Sequence, residues 1–151
     1  MLDSDLLSPS RIFAGISVNS KKRLLEMISS AFVEKDKELD AREIFESLCK
    51  RENLGSTSLG NGVAMPHGRI EGTKVVEALF IQLVKPVSFD AEDGQPVDLI
   101  FALVVPKECS KDHLKLLAKI ADRFTDKKLV EQLRQAEDAN DIWHALSSPS
   151  P

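Results

Sequence analysis

Leu24, Leu25, Ile28, Ala31 and Phe32 recur at helical spacing from Ser20 onward and predict a first amphipathic helix on an otherwise charged segment. Asp40, followed three residues later by Glu43, resembles a capping box; Ile44, Phe45, Leu48 and Cys49 supply the stripe of a second helix that should end near Arg51. The pattern then changes. Val75 to Val84 and Val97 to Val105 are almost continuously apolar rather than alternating, as strands covered on both faces require. Pro86, Asp93-Gly94 and Pro96 punctuate their connection, which excludes a continuous helix there. After Pro106 the helical period returns behind Ser110 as N-cap, with Leu114, Leu117, Ile120, Ala121 and Phe124 on one face. Leu129, Val130 and Leu133 mark another short helix, and Asp138 caps a last one carrying Ile142, Trp143 and Leu146. The tail from Ser147 to Pro151 is expected to fray. No repeat or linker interrupts this order, so residues 1–151 read as one α/β domain with helices packed on a sheet.

Composition narrows the function. A chain of 151 residues buries ~70% of its unfolded surface, enough for a core without disulfides or structural metal. With 24 acidic and 20 basic residues the net charge is −4, both signs interspersed, and this disfavours nucleic acid as a partner. Cys49 and Cys109 form no Cys-x-x-Cys arrangement, which suits a reducing compartment. The first ten residues contain no basic side chain, unlike a signal peptide. The apolar run from Leu99 to Val105 is far shorter than the roughly 20 residues of a membrane helix. The expectation is a cytoplasmic protein without membrane insertion. Tyrosine is absent, which removes phenol chemistry.

One segment departs from the ordinary. Five of the seven glycines, Gly55, Gly60, Gly62, Gly68 and Gly72, crowd into positions 55–72, and Asn53 to Gly68 holds no charged residue although 29% of the chain is charged. Arg51 and Arg69 bracket it. Such a stretch reads as loop, and it serves either as a set of turns or as a surface where a ligand meets main-chain amides. Neutral donors flanked by arginines favour a phosphate, and Ala64-Met65-Pro66-His67-Gly68 presents an imidazole at its end. No Gly-Lys-Ser/Thr ending is present, which makes a P-loop the weaker reading, and Met65 replaces the third glycine of a dinucleotide fingerprint.

Read as one string, Arg51-Glu52-Asn53-Leu54-Gly55-Ser56-Thr57-Ser58-Leu59-Gly60-Asn61-Gly62-Val63-Ala64-Met65-Pro66-His67-Gly68 resembles the active-site signature of the fructose/mannitol-type IIA domains of the bacterial phosphotransferase system. Its wording is most similar to the nitrogen-regulatory enzyme IIA, Asp112-His113-Leu114 matches the second histidine of that family, and the similarity runs from about Leu6 to Leu146. The resemblance implies a mixed β-sheet flanked by helices and a phosphocarrier without cofactor. His67 would accept a phosphoryl group from an HPr-like or NPr-like carrier protein charged from phosphoenolpyruvate. It also implies His113 as a hydrogen-bond donor to the phosphate, whereas spacing alone makes His113 a polar first-turn residue facing water. Arg51 is the candidate for stabilising charge on the transferring group, and Ser56 and Thr57 are candidate hydroxyl donors in phosphate binding.

Imidazole suits this chemistry because it is nucleophilic when neutral and yields a transferable phosphoramidate, whereas serine would form a stable ester. Two outputs fit: a regulator whose phosphorylation state selects its target proteins, favoured by the nitrogen-type wording, or a sugar-transport IIA that passes phosphate to a IIB domain. For the regulator, an uncharged rim around His67 would gain negative charge and repel a docked partner. A metal site made by Cys109, His113 and His67 is the chemical competitor, with too few paired soft ligands for a closed zinc site. His144, beside Trp143, has no assigned role, and Arg69 reads as solvated or as a contact to the carrier.

Overall fold

The computed structural model describes residues 6–147 as one mixed six-stranded sheet with helices on both faces. After a 3-10 turn at Pro9–Arg11, the elements run β1 (Ile12–Ile16), α1 (Lys21–Lys35), α2 (Ala41–Asn53), β2 (Ser58–Gly60), β3 (Val63–Ala64) and β4 (His67–Ile70). They continue as β5 (Glu77–Val87), β6 (Val97–Pro106), α3 (Lys111–Arg123), α4 (Lys127–Gln135) and α5 (Ala139–Ser147). The strand order is β1-β5-β6-β3-β2, with β4 also paired to β6. β5 and β6 are antiparallel, while β1 on β5, and both β3 and β4 on β6, are parallel.

Helix signals in the sequence translate directly. Ser20, Asp40, Ser110 and Asp126 each accept a first-turn N–H, which satisfies donors that have no intrahelical partner. At α2 only the Asp40 half of the expected capping box forms; the reciprocal box is at α3, where His113 takes the place of the usual Glu. Continuous apolar character in β5 and β6 has the predicted cause. Leu79, Ile81, Ile100, Ala102 and Val104 enter a core with α1 and α2, while Phe80, Leu99, Phe101 and Leu103 enter a second core with α3, α4 and α5. Phe80, Phe101 and Phe124 pack ring to ring on that second side, with centroids 5.6–6.4 Å apart.

The glycine-rich stretch is the main correction. It reads as loop in the sequence, but β2, β3 and β4 lie within it, because β6 offers a long edge against which even Gly- and Ser-rich backbone can pair. β1 also carries no sequence signal of its own and is held as an edge strand by β5. Two glycines here are steric necessities. Gly62 sits at φ +82° where a Cβ would strike the Arg134 guanidinium, which is itself paired to Asp98. At Gly68 a Cβ would lie 2.8 Å from Ser47 Oγ and 3.0 Å from Ser47 Cβ, so the missing side chain lets α2 close on β4. The expected frayed tail beyond Ser147 lies outside the described residues.

Gly68→Ala is expected to force α2 away from β4 at a cost of about 1–3 kcal/mol, the usual penalty of overpacking. Urea unfolding followed by circular dichroism measures it; an unchanged midpoint would contradict the contact.

Candidate functional site

His67 opens β4 and stands half-buried in a cleft of about 640 Å³ at the edge of the sheet. The C-terminal half of α2 supplies one wall with Ser47, Lys50 and Arg51, continued by the exposed Leu54. Leu114 and Leu117 of α3 supply the opposite wall. Arg69, Lys107 and Cys109 complete the lining. Three-dimensional packing therefore brings Arg51 to His67 across 16 positions of sequence.

The ring is oriented by its own strand. His67 Nδ1 lies 3.0 Å from the Met65 carbonyl oxygen. A carbonyl can only accept, so Nδ1 carries the proton and Nε2 holds the free pair. Burial pushes the His67 pKa below its ordinary value of 6.5; the Met65 hydrogen bond and Glu52 oppose that shift, and the Arg51 and Arg69 charges reinforce it. The imidazole is thus neutral at pH 7 with Nε2 as its nucleophilic atom.

Arg51 is half-buried, and its Nη1 donates to the Gly55 carbonyl at 3.0 Å, which ties the guanidinium to the loop after α2. His113, half-buried in the first turn of α3, accepts the Ser110 N–H on Nδ1 at 3.2 Å, so a neutral ring carries its proton on Nε2 and can donate from there. His113 itself does not line the cleft; its neighbour Leu114 and, one turn on, Leu117 do. Ser56 and Thr57 are placed otherwise than expected. The Ser56 hydroxyl donates to Phe89 O at 2.8 Å, the Thr57 hydroxyl donates to Glu52 Oε2, and neither residue lines the cleft. Their side chains are drawn inward because buried acceptors on α2 and after β5 need donors.

The expectation for the rim is also corrected. The rim is cationic rather than uncharged: Lys50, Arg51, Arg69 and Lys107 all line the cleft, and among the described residues Lys107 pairs with Glu71 at 2.8 Å. The neutral stretch of sequence is surrounded by charges that other elements deliver. Among the described residues no three His, Cys, Asp or Glu side chains gather as ligands, so Cys109, His113 and His67 do not constitute a metal centre. Also among the described residues, no helix is long and apolar enough to cross a membrane.

Glu52 is the functional-region residue that sequence reasoning passed over, although a lone carboxylate opening an otherwise uncharged stretch was the available signal. It is 8% exposed and receives Lys21 Nζ at 3.0 Å and Thr57 N–H at 3.2 Å, besides the Thr57 hydroxyl. A second hollow, of about 710 Å³, lies at Arg11, Lys35, Thr73 and Glu77. Its buried charges are already matched, Arg11 to Glu77 at 2.6 Å with Thr73 donating to the other oxygen.

Comparison with known proteins agrees with this geometry. Residues 5–148 match the family model described as phosphoenolpyruvate-dependent sugar phosphotransferase system, EIIA 2. A nitrogen regulatory protein homolog of Haemophilus influenzae is 44% identical over 147 residues, covering 95% of this chain and 89% of that protein. A nitrogen regulatory protein of Bradyrhizobium diazoefficiens is 40% identical, covering 97% and 95%. The crystal structure of nitrogen regulatory protein IIA-Ntr from Neisseria meningitidis superposes with a TM-score of 0.89 at 42% identity, covering 95% of this chain and 98% of that one.

An NMR titration is expected to place the His67 ring midpoint below 6.5. The unfolded chain takes up a proton near 6.5 that the folded ring refuses. This contribution to stability is therefore complete above that value and is lost as pH falls through the folded one. His67→Ala should remove that part of the pH dependence; a ring midpoint at or above 6.5 would contradict the assignment.

Proposed function

The chain belongs to the phosphoenolpyruvate-dependent sugar phosphotransferase system EIIA 2 family, and on that premise we propose that it is a cytoplasmic histidine phosphocarrier with a regulatory output. His67 takes its phosphoryl group from a phosphohistidine of an HPr-type carrier of the NPr kind. One observation carries this reading: the Met65 carbonyl holds the proton on Nδ1, which leaves the Nε2 pair free in a cleft lined by Arg51. Attack by Nε2 forms the new N–P bond while the donor's N–P bond breaks, its pair remaining on the departing ring nitrogen. Nδ1 keeps its proton, donated to the Met65 carbonyl, throughout, so no base is needed at the acceptor ring.

Phosphoryl transfer requires chiefly in-line placement and stabilisation of the equatorial oxygens. Arg51 supplies charge and a planar donor fork, and His113 supplies an N–H from Nε2 at the head of α3, where the helix dipole also favours an anion. Ser56 and Thr57, engaged elsewhere, act by shaping the loop rather than by binding phosphate.

The regulatory output is supported by the names of the relatives, which are nitrogen regulatory proteins at 40–44% identity. It also has a physical basis. A phosphate of about −1.5 to −2 charge, placed among Lys50, Arg51, Arg69 and Lys107, converts a cationic docking face into a compensated one without refolding. Target proteins that read the cations then distinguish the two forms.

Incubation with phosphoenolpyruvate, enzyme I and an HPr-type carrier is expected to introduce one phosphate per chain, stable to alkali and labile to acid. His67→Ala should abolish the label, and label surviving there would overturn the reading. Arg51→Lys should slow labelling on the order of tenfold, since lysine cannot reproduce a bidentate contact. His113→Ala should slow it while leaving the site competent.

A further inference from the structure

We propose that Glu52 and Thr57 are the positioning residues of this centre, a buried carboxylate on α2 fixing through Thr57 and Met65 which imidazole nitrogen of His67 is presented. The inference rests on His67 as the phosphoryl acceptor.

The Glu52 side chain is 4% exposed, too buried for its carboxylate to be left to water, so its oxygens must be matched from within the protein. Lys21 compensates the charge from α1 at 3.0 Å. Both carboxylate oxygens are also engaged by one residue, Thr57, whose N–H goes to Oε1 and whose hydroxyl goes to Oε2. That double grip closes the loop from Glu52 to Thr57. The Thr57 carbonyl then accepts the Met65 N–H at 3.0 Å, and the Met65 carbonyl accepts His67 Nδ1–H at 3.0 Å. Glu52, Thr57, Met65 and His67 thus form one unbroken series of hydrogen bonds, each donor pointing back towards the carboxylate.

Its opposite end is equally constrained. Pro66, next to Met65, is tied to β6 by Leu103 N–H at 3.0 Å, so the Met65-Pro66 pair is held between β6 and Thr57. Releasing Thr57 frees one of these two restraints and lets the Met65 carbonyl leave Nδ1. A ring without that acceptor also populates the tautomer with the proton on Nε2, which has no pair there for phosphorus. The same loop carries Gly55, whose carbonyl holds Arg51, so acceptor and charge stabiliser are set by one anchor.

The test reads the ring directly. In protein carrying 15N-labelled histidine, His67 should show a pyrrole-like Nδ1 and a pyridine-like Nε2. Glu52→Gln and Thr57→Val should each raise the share of the reversed tautomer and slow labelling on the order of tenfold at saturating carrier, with the loss in kcat rather than KM. Thr57→Ser should restore both readouts. Folded variants with the wild-type ring pattern, or slower labelling with an unchanged ring, would overturn the proposal. If Glu52→Gln fails to fold, the Thr57→Val and Thr57→Ser pair decides alone. Label persisting in His67→Ala would instead overturn the phosphocarrier reading, because the tautomer is measured without phosphate.

Discussion

The site depends on how the outer edge of one short strand run finds its hydrogen-bond partners. Residues 63–70 lie along β6 on one side, but β2 pairs with the other side only as far as Ala64. Beyond that point the outward backbone groups need other partners, since unmatched buried amides are costly. Met65 is satisfied by Thr57 and by the His67 ring itself, and Arg69 by the Ser47 hydroxyl, which accepts its N–H and donates to its carbonyl. Edge satisfaction therefore does two jobs: it docks α2 on β4, and it turns the imidazole so that Nδ1 faces backbone.

From that constraint the electrostatics follow. Docking α2 on β4 brings its C-terminal turn, with Lys50 and Arg51, to the ring, and the end of β6 adds Lys107. Burial first, and then the Arg51 and Arg69 charges, disfavour a protonated ring, while clustered cations favour an anion beside it. Glu52 opposes part of that field from the interior side, and its own charge is matched by Lys21. The cleft thus sets cations beside a neutral ring.

Sequence reading recovers the parts of this fold whose burial is periodic. α1 through α5 show because each hides one face, and β5 and β6 show because both faces are covered, so Leu79 and Phe80 are apolar for opposite cores. β1 to β4 are hidden from it. They are short, and β2 and β4 contain glycine where a side chain would carry the signal, most sharply Gly68, kept bare by the approach of Ser47. His67 and Arg51 are legible as a histidine after a glycine cluster and a flanking arginine. The direction of Thr57 is not, because a hydroxyl in an uncharged loop looks equally suited to phosphate and to a buried carboxylate five positions earlier; only packing of α2 against the loop decides between them.

That decision changes how the uncharged stretch from Asn53 to Gly68 is understood. Absence of charge there does not extend to the ring, which cations from α2, Arg69 and the β6–α3 connection surround. What the neutral sequence provides is backbone freedom: Leu54 stands 82% exposed beside the cleft, and Gly55 turns the chain so that its carbonyl reaches Arg51. A charged side chain within this loop would compete with Glu52 for Thr57 or with Arg51 for Gly55, and so disturb ring and guanidinium together. Neutrality in the loop and charge around it are two halves of one arrangement, in which Arg51 is held by a backbone carbonyl of the loop rather than by a carboxylate.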